Sequence, residues 1–304
     1  MLIKAPSGLV ESSIASFLRG FLRLVFKKFI APPFQIGFQR FLINFIISPL
    51  LIGSPGTQRK SIKVENIDVD VVYQSNKSSE KIILYIHGGA YCLGNPRSHR
   101  SITTRLTKLT GSAIWVPNYR LAPEHPYPAG LNDLVDCYKE LIARGHAPEK
   151  IQIGGDSAGG SLALALALNL RSLNIPLPEK IFLISPVTDL EATGESIKTL
   201  VDIDPMISVG WLGQAIGWYK YEESSQFHSP LKQDLTGFPP ILVQVGEEEV
   251  LLSDSLRLVE HAEKFGVNTT LQIFEKRWHV FHLEAIFLKS ARDAIKKIAH
   301  FCNT

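Results

Sequence analysis

A serine between glycines is the first residue of this chain whose surroundings suggest chemistry. Residues 155–159 read GDSAG, between a short apolar run and an Ala- and Leu-rich stretch that begins near Ser161. Small residues on both sides permit a sharp strand-to-helix turn that exposes a serine hydroxyl, and the N-terminus of the following helix favours developing negative charge. The pattern predicts that Ser157 is the nucleophile of an acyl-transfer reaction.

A second glycine-rich turn, HGGA at 87–90, directly follows another apolar run. A tetrahedral intermediate carries an oxyanion that backbone N–H groups must stabilise, and adjacent glycines allow the backbone to approach a substrate closely. We expect an oxyanion hole formed by the N–H groups of Gly88, Gly89 and Ala158. His87 stands at the strand end, and we interpret its ring as a structural group that organises the loop.

Histidines near the C-terminus supply the candidates for a general base. His279 lies in RWHVFH, a few residues beyond a predicted strand at 270–274. Its place near the C-terminus fits a triad in which the serine comes first along the chain, the acid second and the histidine last. His282 is the alternative, which we interpret as a solvated or cap-packing residue. His261 and His300 fall within helical patterns and are interpreted as surface residues.

The acidic partner of the histidine is expected in the stretch GEEEVLLSD at 246–254. This carboxylate must accept a hydrogen bond from the far nitrogen of the imidazole, fixing its tautomer and stabilising the imidazolium. Glu249 is our prediction. Glu247 and Glu248 are interpreted as solvated neighbours, and Asp254 as an N-cap or first-turn acid of the next helix.

The elements that must position these residues alternate between strands and helices. Short apolar or alternating runs predict strands at 64–73, 81–86, 113–116, 151–153, 181–184, 241–245 and 270–274. Helical spacing predicts helices at 132–143, 161–173, 254–265 and 283–301. Such alternation is typical of a mostly parallel sheet covered by helices on both faces. With 304 residues, 45% of them hydrophobic, the chain can bury the core of one large α/β domain, which excludes the disordered class.

The N-terminal part does not follow this alternation. Residues 14–30 place apolar side chains on one helical face and Arg19, Arg23 and Lys27 on the other, without an acidic residue. The pattern is typical either of a helix packed over an active site with a solvated basic face, or of an interfacial helix resting on anionic lipid. The apolar segment 41–52 is too short to span a bilayer, which takes about 20 residues.

A long, aromatic-rich insertion separates two of the predicted strands. We expect residues 193–227 to fold over the C-terminal edge of the sheet together with an N-terminal helical cap segment at 1–52. A linker at 53–60 would then lead into a catalytic domain at 60–304. Four residues are candidates for substrate contact, with packing inside the cap as the alternative: Tyr91, Met206, Ile207 and Trp211.

Three separated motifs together resemble the hormone-sensitive-lipase-like family of esterases: HGGAY at 87–91, YRLAPEHPYPA at 119–129 and GDSAG at 155–159. The resemblance implies an α/β-hydrolase fold, with a mostly parallel central sheet flanked by helices. It also implies an α-helical cap, here assigned to the N-terminus and to an insertion after the strand at 181–184. It further implies no cofactor, and hydrolysis of carboxylic esters with short to medium acyl chains. Many relatives have a third glycine where this chain has Ala90.

The resemblance also bears on individual residues. His279 matches the family's histidine, and Glu249 fits the slot of its acid. The YRLAPEHPYPA stretch resembles a structural loop of the family, so we assign no chemistry to Arg120, Glu124 and His125.

Composition limits the partners. A net charge of +3 gives no general attraction for nucleic acid, and three widely spaced cysteines favour neither a disulfide framework nor a metal site. We therefore expect a cytoplasmic enzyme with a small-molecule ester substrate. Membrane contact through residues 14–30 and a homodimer formed through an edge strand stay open. Lactonase, amidase or deacetylase activity on the same triad is the main alternative, and a small-molecule receptor without catalysis is the other.

Overall fold

The structure is a computed structural model that describes residues 1–6, 8–76, 79–220 and 229–304. Within these ranges nine strands form one sheet: β1 (Leu2–Ile3), β2 (Gln58–Val64), β3 (Ile67–Tyr73), β4 (Ile82–Ile86), β5 (Ala113–Pro117), β6 (Ile151–Asp156), β7 (Lys180–Ile184), β8 (Ile241–Gly246) and β9 (Thr269–Phe274). Their order is β1-β9-β8-β7-β6-β4-β5-β3-β2. β3 runs antiparallel to both of its neighbours, and the other pairs are parallel.

The strand predictions are confirmed with one change at the antiparallel edge. The run at 64–73, predicted as one strand, contains the turn of a hairpin, in which Glu65 adopts a positive φ of 48°. The linker predicted at 53–60 is wrong over its last three residues, because β2 already begins at Gln58. β4, β6 and β8 are buried along their whole length, as expected for parallel strands covered on both faces.

Ten α-helices accompany the sheet in the described ranges: α1 (Leu9–Phe21), α2 (Lys27–Phe29), α3 (Ile36–Phe41), α4 (Arg100–Thr110), α5 (Ala129–Ala143), α6 (Ala158–Ser172), α7 (Glu195–Thr199), α8 (Val209–Tyr219), α9 (Leu252–Lys264) and α10 (Lys289–Asn303). The last helix begins six residues later than predicted, because Phe281–Glu284 form a separate 3-10 turn. α4 was not predicted, since its sequence is rich in threonine, a weak helix former.

The N-terminal helices continue through two π-helical segments, Leu22–Phe26 and Leu42–Ile47, and a 3-10 turn, Ser48–Leu50. Among the residues with described placement, no helix is long and apolar enough to cross a bilayer. The described part of the insertion holds α7 and α8; its end, including Tyr221, lies outside the described residues.

The basic side chains of the first helix make hydrogen bonds to the protein, although the sequence pattern suggested a solvated basic face. Arg23 donates to the carbonyls of Asp202 and Ile203 at 3.2 and 2.9 Å. Lys27 donates to the carbonyl of Asp204 at 2.6 Å, and also to that of residue 201. These carbonyls lie in a loop outside regular secondary structure and need donors. The cations therefore attach the N-terminal helices to the insertion. Apolar side chains of the same stretch lie on both sides, since Leu18 and Leu22 are buried whereas Phe17 and Leu24 are exposed.

A buried carboxylate fixes the start of the same helix. Glu11 in α1 accepts hydrogen bonds from the Ser290 hydroxyl (2.7 Å), from the Ser290 and Lys289 N–H groups (3.1 and 2.9 Å) and from Arg277 (3.1 Å). It thus caps the N-terminus of α10, where four N–H groups lack helical partners. This contact joins the two ends of the chain, and no local sequence pattern indicates it.

Candidate active site

Ser157 occupies the turn between β6 and α6 with φ of 55° and ψ of −122°. A non-glycine residue rarely adopts a positive φ, so this turn is strained unless its surroundings hold it. They do so here: the Ser157 N–H donates to the Ile184 carbonyl at 2.8 Å, and its own carbonyl accepts from Ser161 and Val187 at 3.2 and 3.1 Å. The hydroxyl is thereby held at the carboxyl end of the sheet.

The glycines of the GDSAG turn are required by close backbone contacts. A Cβ on Gly155 would lie 2.4 Å from the Gly159 carbonyl oxygen. A Cβ on Gly159 would lie 2.1 Å from the carbonyl oxygen of Ile86 and 2.6 Å from that of His87. The spacing of the motif therefore reflects one strand end pressed against the start of α6.

His279 bridges the serine and a carboxylate. Its Nε2 lies 3.0 Å from Ser157 Oγ, and its Nδ1 lies 3.1 Å from Glu249 Oε1. All three side chains are buried. Burial by itself lowers the pKa of His279, but the hydrogen bond and the charge of Glu249 outweigh this effect and raise the pKa above its ordinary value. The arrangement has the geometry of a nucleophile, its base and an orienting acid.

A residue that the sequence analysis missed holds the second oxygen of the acid. Ser185, directly after β7, donates its hydroxyl to Glu249 Oε2 at 2.8 Å and accepts the Val280 N–H at 3.3 Å. The Gly246 N–H donates to the same carboxylate oxygen at 2.7 Å. Ser185 therefore connects the loop of the acid with the loop of the histidine. No motif marks it, because its role arises only where three strand ends meet.

The structure does not support Gly88 as an oxyanion donor. Its N–H donates to Asp156 Oδ1 at 3.1 Å and is already occupied. Across the described part of the chain, the N–H groups of Gly89, Ala90 and Ala158 have no protein acceptor. Gly89 and Ala90 both have positive φ values, 119° and 52°, as the chain turns back after β4. The candidate donors are therefore Gly89, Ala90 and Ala158.

Asp156 organises this loop from the residue before the nucleophile. Its carboxylate also accepts the Tyr85 hydroxyl at 2.8 Å and lies 3.2 Å from His99 Nε2. Burial raises the pKa of Asp156, but the adjacent His99 and the two side-chain hydrogen bonds reverse the direction and lower it. Asp156 remains ionised and ties the HGGA turn to the GDSAG turn.

His87 has the surroundings of a structural group. Its Nδ1 lies 2.9 Å from the Gly88 carbonyl, and its ring stacks on Tyr119 with 4.3 Å between centroids. Burial and the neighbouring His99 lower the pKa of His87 to about 3, so the ring is neutral. The loop residues Arg120 and Glu124 pair with Asp133 and Arg40, and no contact links either of them to Ser157.

The rival residues lie elsewhere. His282 is fully buried rather than solvated, with Nε2 2.8 Å from Gln244 Oε1, and burial lowers its pKa to about 3. Asp254 lies in the first turn of α9, one of the two positions expected, but it is fully buried and accepts the N–H groups of Thr188 and Asp189 at 2.7 and 3.0 Å. Burial raises the pKa of Asp254 to about 6.

The remaining candidates have their own partners. Glu247 accepts the N–H of Lys276, and Glu248 pairs with Arg19, so neither is simply solvated. His261 is half-buried, with its Nε2 2.7 Å from the Gln233 carbonyl, whereas His300 is exposed.

Two small cavities meet at Ser157. One, of about 70 Å³, is bordered by Met206, Trp211, His279 and apolar residues of the N-terminal helices, among them Phe26 and Ile43. The other, of about 20 Å³, is bordered by Ala90, Tyr91, Ile207 and Trp211. All four residues singled out for substrate contact therefore border one or both cavities. Asp204 holds the loop between them, accepting the N–H groups of Met206 and Ile207 at 2.8 and 3.0 Å.

Known proteins are similar to this chain over most of its length. Residues 83–283 match a family described as having the α/β-hydrolase fold. An esterase of Acinetobacter venetianus is 35% identical over 254 residues, which cover 83% of this chain and 84% of that protein. An acetyl-hydrolase of Streptomyces hygroscopicus is 36% identical over 226 residues, 74% of this chain and 76% of that one.

Solved structures are similar over nearly the whole chain. An esterase from the bacterial hormone-sensitive lipase family matches with a TM-score of 0.88 and 31% identity, covering 98% of both chains. An esterase soaked with p-nitrophenyl butyrate also matches with a TM-score of 0.88, at 32% identity, covering 95% of this chain and 97% of that one.

The chain belongs to the α/β-hydrolase fold family and, within it, to the hormone-sensitive-lipase-like esterases. The predicted fold class and family are thus confirmed. So is the prediction of an enzyme of the carboxylesterase and lipase class.

Proposed function

We propose that this protein hydrolyses carboxylic esters through an acyl-enzyme formed on Ser157. His279 accepts the hydroxyl proton as Ser157 Oγ attacks the ester carbonyl, and Glu249 stabilises the resulting imidazolium. His279 then protonates the leaving alcohol. Water, activated by the same histidine, releases the acid. The observation that carries the proposal is the unbroken chain of contacts from Ser157 Oγ through His279 to Glu249, at 3.0 and 3.1 Å.

The oxyanion of each tetrahedral intermediate would rest on the N–H groups of Gly89, Ala90 and Ala158. Supporting this choice, these three donors have no protein acceptor among the described residues, whereas Gly88 is engaged by Asp156. Each such donor contributes about 3 kcal/mol of transition-state stabilisation in related chemistry. The position of Ala158 at the start of α6 adds the partial positive charge of a helix N-terminus.

Short acyl groups suit the cavities best. A space of about 15 Å³ of this kind holds one water-sized group, so the cavity of about 20 Å³ beside Ala90 and Trp211 has room for little more than the methyl end of an acetyl group. The name of the Streptomyces relative, acetyl-hydrolase, points the same way. We assign to the N-terminal helices and to the insertion, residues 1–52 and 193–220, the role of a cap that closes both cavities.

The cellular setting is a further part of the proposal. The three cysteines are free and buried, as suits a reducing cytoplasm. Pairing of two copies through the edge strand β2 is not favoured, because β2 carries Arg59, Lys60 and Lys63, and charged residues discourage edge pairing.

The test is hydrolysis of p-nitrophenyl esters from acetate to palmitate by the wild-type chain and by Ser157→Ala, His279→Ala and His282→Ala. We expect a maximum at short chains, and loss of activity in the first two variants only. Activity that survives Ser157→Ala would contradict the proposal. Preference for p-nitroacetanilide over the esters would instead favour an amidase. A wild-type chain inert on all of these substrates would favour a receptor.

A further inference from the structure

The outer face of the N-terminal helices is unusually apolar for a surface. Among the large apolar side chains exposed there, we select six and call them the outer apolar face: Val10, Phe17, Leu24, Phe38, Phe41 and Phe45. Phe17 is 74% exposed, Leu24 71% and Phe45 65%. Val10, Phe17 and Leu24 are spaced by seven residues and therefore lie on one side of the first helix. Phe38, Phe41 and Phe45 are spaced by three and four residues, which places them on one side of the second helix. Exposed patches of this kind mark contact sites.

Ring contacts join the two helices on this side. Phe34 stacks on Phe38 with centroids 4.9 Å apart, and Phe29 lies 5.4 Å from Phe34. Phe41 and Phe45 are in ring contact at 5.3 Å. Phenylalanine side chains on an amphipathic helix are suited to the boundary between lipid headgroups and acyl chains.

The charge of the segment selects the partner. Residues 1–52 contain six basic residues and one acidic residue, Glu11, which gives a formal charge of +5 against +3 for the whole chain. Glu11 is buried beneath the helix, whereas Arg23 and Lys28 are exposed beside the apolar stripe. Two copies meeting through this face would bring charges of the same sign together. An anionic lipid surface instead offers both an apolar layer and opposite charge.

The inner face of the same helices borders the catalytic cavity. Phe26, Ile43 and Ile47 line the space next to Ser157. Contact on the outer face would therefore hold the cavity close to the bilayer, where apolar esters dissolve. We propose that the outer apolar face docks this protein on anionic membranes.

The proposal develops the interfacial helix considered from the sequence, but with different residues at the contact. Arg19, Arg23 and Lys27 are hydrogen-bonded to the protein. Among the apolar side chains of the same stretch, Leu18, Leu22 and Phe26 are buried, whereas Phe17 and Leu24 are exposed. Binding should accordingly depend on Phe17, Leu24 and Phe45, with Lys28 contributing charge.

The test is co-sedimentation of the full chain with vesicles of phosphatidylcholine alone and of phosphatidylcholine mixed with phosphatidylglycerol. The triple variant Phe17→Ser, Leu24→Ser, Phe45→Ser is compared with a matched control, Leu173→Ser, Leu256→Ser, which removes exposed leucines from α9 and from the residue following α6. We expect binding to the anionic vesicles, a reduction of about tenfold or more in the triple variant, and none in the control. Lys28→Glu and added salt should weaken binding further.

Several results would overturn the proposal. These are no binding to anionic vesicles, equal binding by the wild-type and triple-variant chains, or a wild-type dimer that the triple variant dissociates. Circular dichroism and hydrolysis of p-nitrophenyl acetate, a soluble substrate, check that the variants are folded. The binding assay is repeated with Ser157→Ala, so its outcome does not depend on whether the proposed esterase activity exists.

Discussion

The Ser185 hydroxyl donates a 2.8 Å hydrogen bond to Glu249 Oε2, the carboxylate oxygen that does not face His279. A glutamate is one methylene longer than an aspartate and has more rotamers to restrict. With Ser185 and the Gly246 N–H both bound to Oε2, the other oxygen is held towards the imidazole. Ser185 is in this sense a positioning residue.

Ser185→Ala should lower kcat/KM about tenfold, since a hydrogen bond to a charged group is worth about 1.5–3 kcal/mol. The carboxylate charge, no longer shared with the hydroxyl, would act more strongly on the imidazolium and raise the pKa of His279. The acid limb of the pH profile of kcat/KM should therefore move to higher pH. Thr188→Val is the matched control, because it removes a buried hydroxyl bound to Asp254 instead. A parallel loss of activity in both variants, with unchanged pH profiles, would reduce Ser185 to a structural role.

Glu249→Gln should move the same limb in the opposite direction. His279 must be neutral to act as base, so activity falls as pH drops through its pKa. In the wild-type chain Glu249 raises the pKa of His279 above 6.5. Without that charge, burial lowers the pKa against only the more distant charges of Asp204 and Asp156. We expect an acid limb above 6.5 in the wild-type chain, a limb at lower pH in the variant, and a loss of kcat of about 10²–10⁴-fold. A limb that stays in place in Glu249→Gln would show that another carboxylate is the acid.

Gly159→Ala should abolish activity and destabilise the fold by about 3 kcal/mol or more, since the added Cβ would lie 2.1 Å from a backbone oxygen that cannot move aside. The control is Gly20→Ala, in the interior of α1, where a Cβ meets nothing within 4 Å. This substitution should stabilise the protein by about 0.5–1 kcal/mol. Urea denaturation measures both. Equal stability of the two variants would contradict the described geometry of the turn.

Glu284→Gln should make the protein more stable at alkaline pH. Glu284 is buried, its Oε2 has no partner among the described residues, and burial raises its pKa to about 8. In the unfolded chain the carboxyl group of Glu284 ionises near pH 4.3. The stability that its raised pKa contributes in the folded protein is therefore complete below that pH and is lost as pH rises towards about 8. Relative to wild type, the variant should gain about 1–3 kcal/mol between about pH 5 and about pH 8.

Urea denaturation at several pH values, with the exposed Glu149→Gln as control, measures this difference. Parallel stability curves for wild-type and Glu284→Gln chains would show that the carboxyl group is not held in its neutral form.

The sheet could be predicted from the sequence because its signals are local. Period and composition mark β4, β6 and β8, and GDSAG marks a turn whose glycines are required by contacts within a few residues and one neighbouring strand. The proposed oxyanion donors differ in part from those expected from the sequence, because the bond that occupies Gly88 comes from Asp156, 68 residues away along the chain.

The side of the N-terminal helices that contacts the protein could not be predicted from the sequence, because long-range contacts determine it. An amphipathic pattern shows two faces but not which one meets the protein. Here the carbonyls of Asp202, Ile203 and Asp204 accept hydrogen bonds from Arg23 and Lys27, so that basic side chains contact the protein as well as the buried apolar ones. The role of Ser185 was hidden for a similar reason, since a single serine after a strand carries no signal.

The most direct test of Ser157 as the nucleophile is to trap the acyl-enzyme. The wild-type chain is mixed with p-nitrophenyl butyrate, quenched with acid during turnover and digested, and the peptides are analysed by mass spectrometry. We expect one butyryl group on the peptide that contains Ser157, and no label in Ser157→Ala or His279→Ala. Label on another residue, or hydrolysis that continues in Ser157→Ala, would contradict it.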